Sequence, residues 1–249
     1  MDREKPLEMR VREAPPPKPR RVYKSVSTGA TDQGLYAVLL DGRSAMTPLR
    51  KPLASGARPL VEAAAAEWDA QDPHVDPETM PLTRLLATEL DRVAPQREAV
   101  VDSLLSYVDA DSICYRAGHP ADLRERQQRL WQPVLDWLAA DHEIRLSVTE
   151  GLMPASQSPD VAHRMRAALE RLSDTKLTAF QAAASLTNSL ALAFALIEGK
   201  LTADAMFTAA FLDELYQVEK WGEDAEAQKR RQRIAGDLAA IERYLALGA

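Results

Sequence analysis

The chain has 249 residues, 46% hydrophobic and 27% charged, enough for one large core or two modest ones. A net charge of −6 and a pI near 5.4 lack the concentrated positive field that a general nucleic-acid or anionic-membrane binder needs. A single cysteine, Cys114, excludes an intramolecular disulfide and a thiolate metal cluster, and fits a reducing compartment.

The first twenty residues have no apolar run of secretory length, and Asp2, Glu4, Glu8 and Glu13 are foreign to a mitochondrial presequence, so a bacterial cytoplasmic location is expected. Pro15, Pro16, Pro17 and Pro19 remove amide donors and favour extended chain, which predicts a mobile tail over residues 1–20. Residues 21–57 read as a small antiparallel β-rich domain. Val22, Tyr23 and Val26 begin it, Leu35–Leu40 forms a second strand, and Asp41-Gly42 is a strong hairpin signal leading to a third strand through Met46. Pro48 and Pro52 are expected to end the sheet.

Residues 58–249 read as a larger, mainly α-helical domain, so the fold class is α+β. Leu60, Ala64 and Trp68 mark one helix face, and Pro81 and Pro95 each fit the first position of a helix, predicting helices over 82–93 and 96–108. Pro133 lies inside a long helical pattern and predicts a kink or a fresh start. Ile144–Val148 alternates as a strand would, and Val161–Leu172 is helical again.

Leu177–Ile197 contains no charged residue and approaches the length of a membrane span. Thr178, Gln181, Ser185 and Asn188 put a narrow polar stripe on it, and its many alanines lower the hydrophobicity, so one buried helix of a soluble protein is predicted, with no integral membrane segment. Asp174 or Thr175 would cap its start, and Gly199 would close its end. The short link after it predicts antiparallel packing with the next helix, in which Phe207, Phe211 and Leu215 recur four apart. Trp221-Gly222 interrupts, and a last helix runs through Tyr244.

Phosphate-loop, dinucleotide, serine-hydrolase and zinc-protease patterns are absent. Cys114, with Asp109, Asp111 and His119 near it, is the best catalytic candidate and supports an alternative reading as a thiol-dependent enzyme, but a lone cysteine between Ile113 and Tyr115 fits a small buried hydrophobe better. His74, His142 and His163 are scattered and predict surface or capping roles, with no metal site. The Lys229–Arg233 cluster follows Glu223, Asp224 and Glu226 and reads as a solvated helix face, with Glu226 and Arg230 an i,i+4 pair. Asp213, Glu214, Glu219, Glu223, Asp224 and Glu226 surround Tyr216 and Trp221, an arrangement of aromatics among charges that interfaces use for anchoring, although a helix junction with Trp221 in the core and the acids in water fits better.

Seven separated strings carry a resemblance: LDGR followed by TP (39–48), EWDAQ (67–71), MPLTRLLATELD (80–91), DADSICYR (109–116), WQPVLDW (131–137), SLALAFAL (189–196) and LDELYQVEKWGED (212–224). In order and spacing they resemble the F1-ATPase assembly chaperone family that acts on the α subunit. The resemblance implies a non-enzymatic chaperone without cofactors, monomeric when free, that holds the unassembled F1-ATPase α subunit and prevents its aggregation until the β subunit replaces it. Relatives in eukaryotes would work in the mitochondrial matrix. It also places emphasis on acids around the Trp-Gly pair, here Trp221 and Gly222, giving Glu223, Asp224, Glu226, Asp213 and Glu214 as further partner-binding candidates. Eukaryotic members place a glutamate three residues after the glycine, where this chain has Ala225, so the acidic role is expected to have moved to Asp224 or Glu226, or to be shared between them.

Overall fold

The Asp41-Gly42 pair turns the chain with both residues at positive φ, 48° and 78°, the backbone that a tight hairpin requires. It joins β2 (Tyr36–Leu40) to β3 (Arg43–Ser44), while β1 (Val26–Ala30) pairs antiparallel along the other side of β2. The Asp41 carboxylate accepts from the Lys24 and Ser25 amides and locks the entry to β1, and these amide bonds hold its pKa below the usual carboxylate range. The sheet does not end at the prolines. A fourth strand, β4 (Ala54–Ser55), pairs with β2 through Tyr36 and Ala37, because the loop over Pro48–Pro52 folds back and bridges Met46 to Pro52. Val22 stays 88% exposed outside the strands. The computed structural model describes residues 18–151 and 156–249, so most of the expected tail lies outside the described residues.

Helix α1 (Arg58–Asp69) lies against the sheet, and Val38, Ala45 and Leu53 of the sheet region share one apolar core with Leu60, Val61 and Ala64. Pro81 opens α2 (Pro81–Thr88) as predicted, and the Glu67 carboxylate accepts from the Leu82 and Thr83 amides, both at 2.8 Å, satisfying donors that the helix itself leaves open. The helix continues through a wider turn over Glu89–Val93. Pro95 does not start the next helix: it sits in the turn before α3 (Arg97–Leu105), whose first residue donates to the Asp174 carboxylate and to the Glu170 and Leu172 carbonyls.

Two short 3₁₀ turns, Val108–Ala110 and Ser112–Cys114, lead into β5 (Tyr115–Arg116). Then α4 (Ala121–Asp141) runs through Pro133 as one helix rather than restarting there. Ile144–Val148 is not a strand. Ile144 is instead fully buried, and β6 (Thr149–Glu150) makes the added pairing, parallel to β5. The chain continues as α5 (Pro159–Glu170), α6 (Asp174–Thr187), α7 (Leu190–Ile197), α8 (Ala203–Ala210), α9 (Leu212–Trp221) and α10 (Ala225–Gly248).

The uncharged stretch is two helices, not one. Asn188 takes a left-handed conformation, φ 52°, and Ser189 caps α7 by accepting from the Leu192 amide. What stabilises the break is Asp111, fully buried, whose carboxylate accepts from the Ala191 amide at 2.9 Å while its own loop is held by Ser112 donating to the Asn188 carbonyl. Ser173 caps α6 in place of Asp174 or Thr175, and Gly199 closes α7 at φ 66° as expected. Every residue of α7 is buried, packed against α6, α4 and α8. Among the described residues no helix is long and apolar enough to cross a membrane.

Candidate partner-binding site

Helix α9 is fastened to α4 by residues at helical spacing on both. Tyr216 donates to both Asp122 oxygens at 2.8 and 2.9 Å, Arg126 donates to Glu219 at 2.8 and 2.9 Å, and Gln127 donates to Asp213 at 2.7 Å. The Tyr216 bond is the main cause that holds the Asp122 pKa low, while burial first, then Asp122, raises that of Tyr216. Below this helix Trp131 is buried, its indole donating to the Ala209 carbonyl at 2.8 Å, with the buried Arg116 guanidinium 4.9 Å from its ring.

Helix α9 ends at Trp221, and Gly222 turns the chain at φ 91°, where a side chain would strain the backbone. Asp224 then caps α10, accepting from the Ala227 amide at 2.8 Å. The turn between the helices is held by Arg231, whose side chain is only 6% exposed and reaches Glu214 at 2.5 Å and Glu223 at 2.7 Å. Arg230 adds a second contact to Glu214 at 2.5 Å. The basic cluster is therefore not wholly a solvated face, and Arg230 pairs with Glu214, not with Glu226. Sequence did carry a signal for this, because Arg231 occupies the stripe that Leu238, Ile241 and Tyr244 continue into the core.

This fastening leaves Trp221 77% exposed, at the tip of the α9–α10 turn. The candidates separate into three roles. Trp221, Gly222, Glu223, Asp224 and Glu226 share that turn; Glu214 joins it through the arginines; Asp213 is directed instead to Gln127 on α4. Glu226 is exposed and makes no hydrogen bond or ion pair to another described residue, whereas Glu223 and Asp224 are partly committed to structure. Beside the turn, a cleft of about 230 Å³ between α4 and α9 is lined by Leu130, Leu212, Leu215 and Tyr216 and rimmed by Arg129.

The thiol alternative meets an unfavourable geometry. Cys114 is fully buried, and burial, with the Asp111 carboxyl adding to it, pushes its pKa well above the ordinary thiol range, away from a reactive thiolate. His119 is exposed, and Asp109 accepts from the Gln157 amide. Of the histidines, His142 ends α4, with its ring between Trp137 and Phe194 and 3.3 Å from Glu198, while His74 and His163 are exposed. Among the described residues no group of three or more His, Cys, Asp or Glu is arranged to hold a metal ion.

Residues 20–139 match the ATP12 chaperone protein family. The crystal structure of Atp12 from Paracoccus denitrificans superposes with a TM-score of 0.85 at 35% identity, covering 93% of this chain and 99% of that one. The Atu1473 protein of Agrobacterium tumefaciens gives the same TM-score of 0.85 at 37% identity, over 92% of this chain and 85% of that one. The mitochondrial atp12 protein of Schizosaccharomyces pombe is 25% identical over 225 residues, which span 85% of this chain and 77% of that protein. The chain belongs to the ATP12 chaperone family, the F1-ATPase assembly chaperones that its seven strings resemble.

Proposed function

We propose that this protein holds the unassembled α subunit of F1-ATPase through the α9–α10 turn. The observation that carries this reading is Trp221, a large aromatic presented 77% exposed among carboxylates on a turn that the buried Arg231 ties to Glu214 and Glu223. An anchor held in one conformation loses little entropy on binding, and an indole buried at the centre of an interface supplies much of its energy. Glu226, Glu223 and Asp224 would meet a basic or polar part of the client, and the apolar cleft between α4 and α9 would cover adjacent hydrophobic surface. A subunit of an obligate ring exposes such surface when alone, which gives the chaperone something to shield.

The test is light scattering of isolated F1 α subunit under mild heat, with and without this protein, and with β subunit as the control client. Suppression specific to α, weakened by Trp221→Ala, supports the proposal. Equal suppression of both clients, or none, with no complex on size exclusion, overturns it. The same column run of the free protein tests the expectation of a monomer.

A further inference from the structure

A second cavity, of about 560 Å³, opens between α3, the C-terminal half of α6 and the start of α7, within the ~300–1,000 Å³ range of ligand sites. It accounts for most of the polar stripe that the sequence shows on the uncharged stretch. Thr178 is buried and spends its hydroxyl on the Asp174 carbonyl, but Gln181, Ser185 and Asn188 line the cavity. The left-handed turn at Asn188 ends α6 at the cavity wall. The side-chain amides of Gln181 and Asn188 make no hydrogen bond to another described residue.

The charge in the cavity has one sign. Arg92 lines it and forms no ion pair with a described residue, and no aspartate or glutamate is among the lining residues. Acids adjoining the lining residues are engaged elsewhere: Asp91, next to Arg92, accepts from Thr47 and the Leu49 amide, Asp102, next to Ser103, pairs with Arg166, and Asp111, next to Ala110, is buried with its carboxylate accepting from the Ala191 amide. Buried Leu104 and Tyr107, 61% exposed, supply the apolar part.

We infer that this cavity receives an extended peptide segment bearing an aspartate or glutamate. The carboxylate meets the Arg92 guanidinium, the peptide backbone exchanges hydrogen bonds with Gln181 and Asn188, and a neighbouring apolar side chain lies over Leu104 and Tyr107. Amide side chains suit a peptide backbone because each offers both donor and acceptor. A charge-assisted bond to the uncompensated arginine supplies the selectivity for acid. The site shares no residue with the α9–α10 turn and does not depend on the identity of the client held there.

The test uses the full chain and fluorescently labelled short peptides of identical apolar flanks with a central Asp, Asn or Lys, followed by anisotropy. The Asp peptide is expected to bind saturably, about tenfold more tightly than the Asn peptide, with the Lys peptide weakest. Arg92→Ala is expected to abolish the difference between Asp and Asn, and Arg92→Glu to favour Lys; Trp221→Ala, which weakens client protection, is expected to leave binding of these peptides as it is. Absence of binding, equal binding of all three peptides, or unchanged discrimination in Arg92→Ala would overturn the inference. Loss of Asp-peptide binding in Trp221→Ala would overturn it too, by moving the site to the other turn.

Discussion

Three neighbours on the α9–α10 turn differ in what they hold, and their substitutions should differ accordingly. Trp221 packs little of its surface against the protein, so Trp221→Ala is expected to leave the thermal midpoint nearly unchanged while lowering protection of the client. Glu226→Lys should come close to this, losing only a few tenths of a kcal/mol, because Glu226 has no side-chain partner among the described residues and gives up only its favourable place in the first turn of α10. Asp224→Lys should not. It removes the cap of α10 and puts a positive charge at a helix N-terminus, a loss of about 1 kcal/mol in chemical denaturation, so weakened client protection in that variant would mix folding with binding. Comparing the midpoints of the two lysine variants checks this directly: equal shifts would contradict the capping role.

At the scale of elements, polar side chains within the familiar strings act largely as fasteners between helices. Glu67 and Gln71 of EWDAQ tie α1 to the start of α2 and to the loop before it, and Asp111 of DADSICYR closes the start of α7. The break between α6 and α7 offers a clear test. Asn188→Val forces a β-branched residue into left-handed backbone and should cost about 1–2 kcal/mol, whereas Asn188→Gly should be close to neutral; urea unfolding of the pair decides. Arg231→Leu should have a more local result. Without its guanidinium, Glu214 and Glu223 lose their shared partner, and amide exchange over residues 220–226 should accelerate along with a loss of client protection. Unchanged exchange there would show that the arginine is not what holds the turn.

Across the whole molecule, α10 returns over α1, α2, α6 and α8 and joins the far end of the chain to its middle. Its buried Tyr244 donates to Glu89 in the wide turn after α2. Burial raises the Glu89 pKa above its ordinary value despite the bonds from Tyr244 and Thr175 that lower it. A carboxyl raised in the folded state contributes stability that is full below its unfolded pKa, about 4.3, and is lost as pH rises through the folded value. The thermal midpoint of the native chain relative to Glu89→Gln should therefore fall between acid and neutral pH. A difference that stays flat, or grows with pH, would show that Glu89 ionises without cost. Burial also raises the Asp111 pKa, so its contribution runs in the same direction.

Local pattern alone determined much of this protein. The Asp-Gly hairpin, Pro81 at a helix start and the α+β class are written in short-range spacing, because turn geometry, capping and periodicity act within a few residues. Other features depended on partners distant in sequence. The uncharged stretch divides at Asn188 where Asp111, about eighty positions earlier, supplies the acceptor for Ala191. Arg231 is buried because Glu214 and Glu223 converge on it, and Trp221 is exposed at the tip of the turn so fastened. The energy of a buried charge or an open indole is set by what surrounds it in space, so only the tertiary structure decided which acids are committed to the scaffold and which stand free beside Trp221.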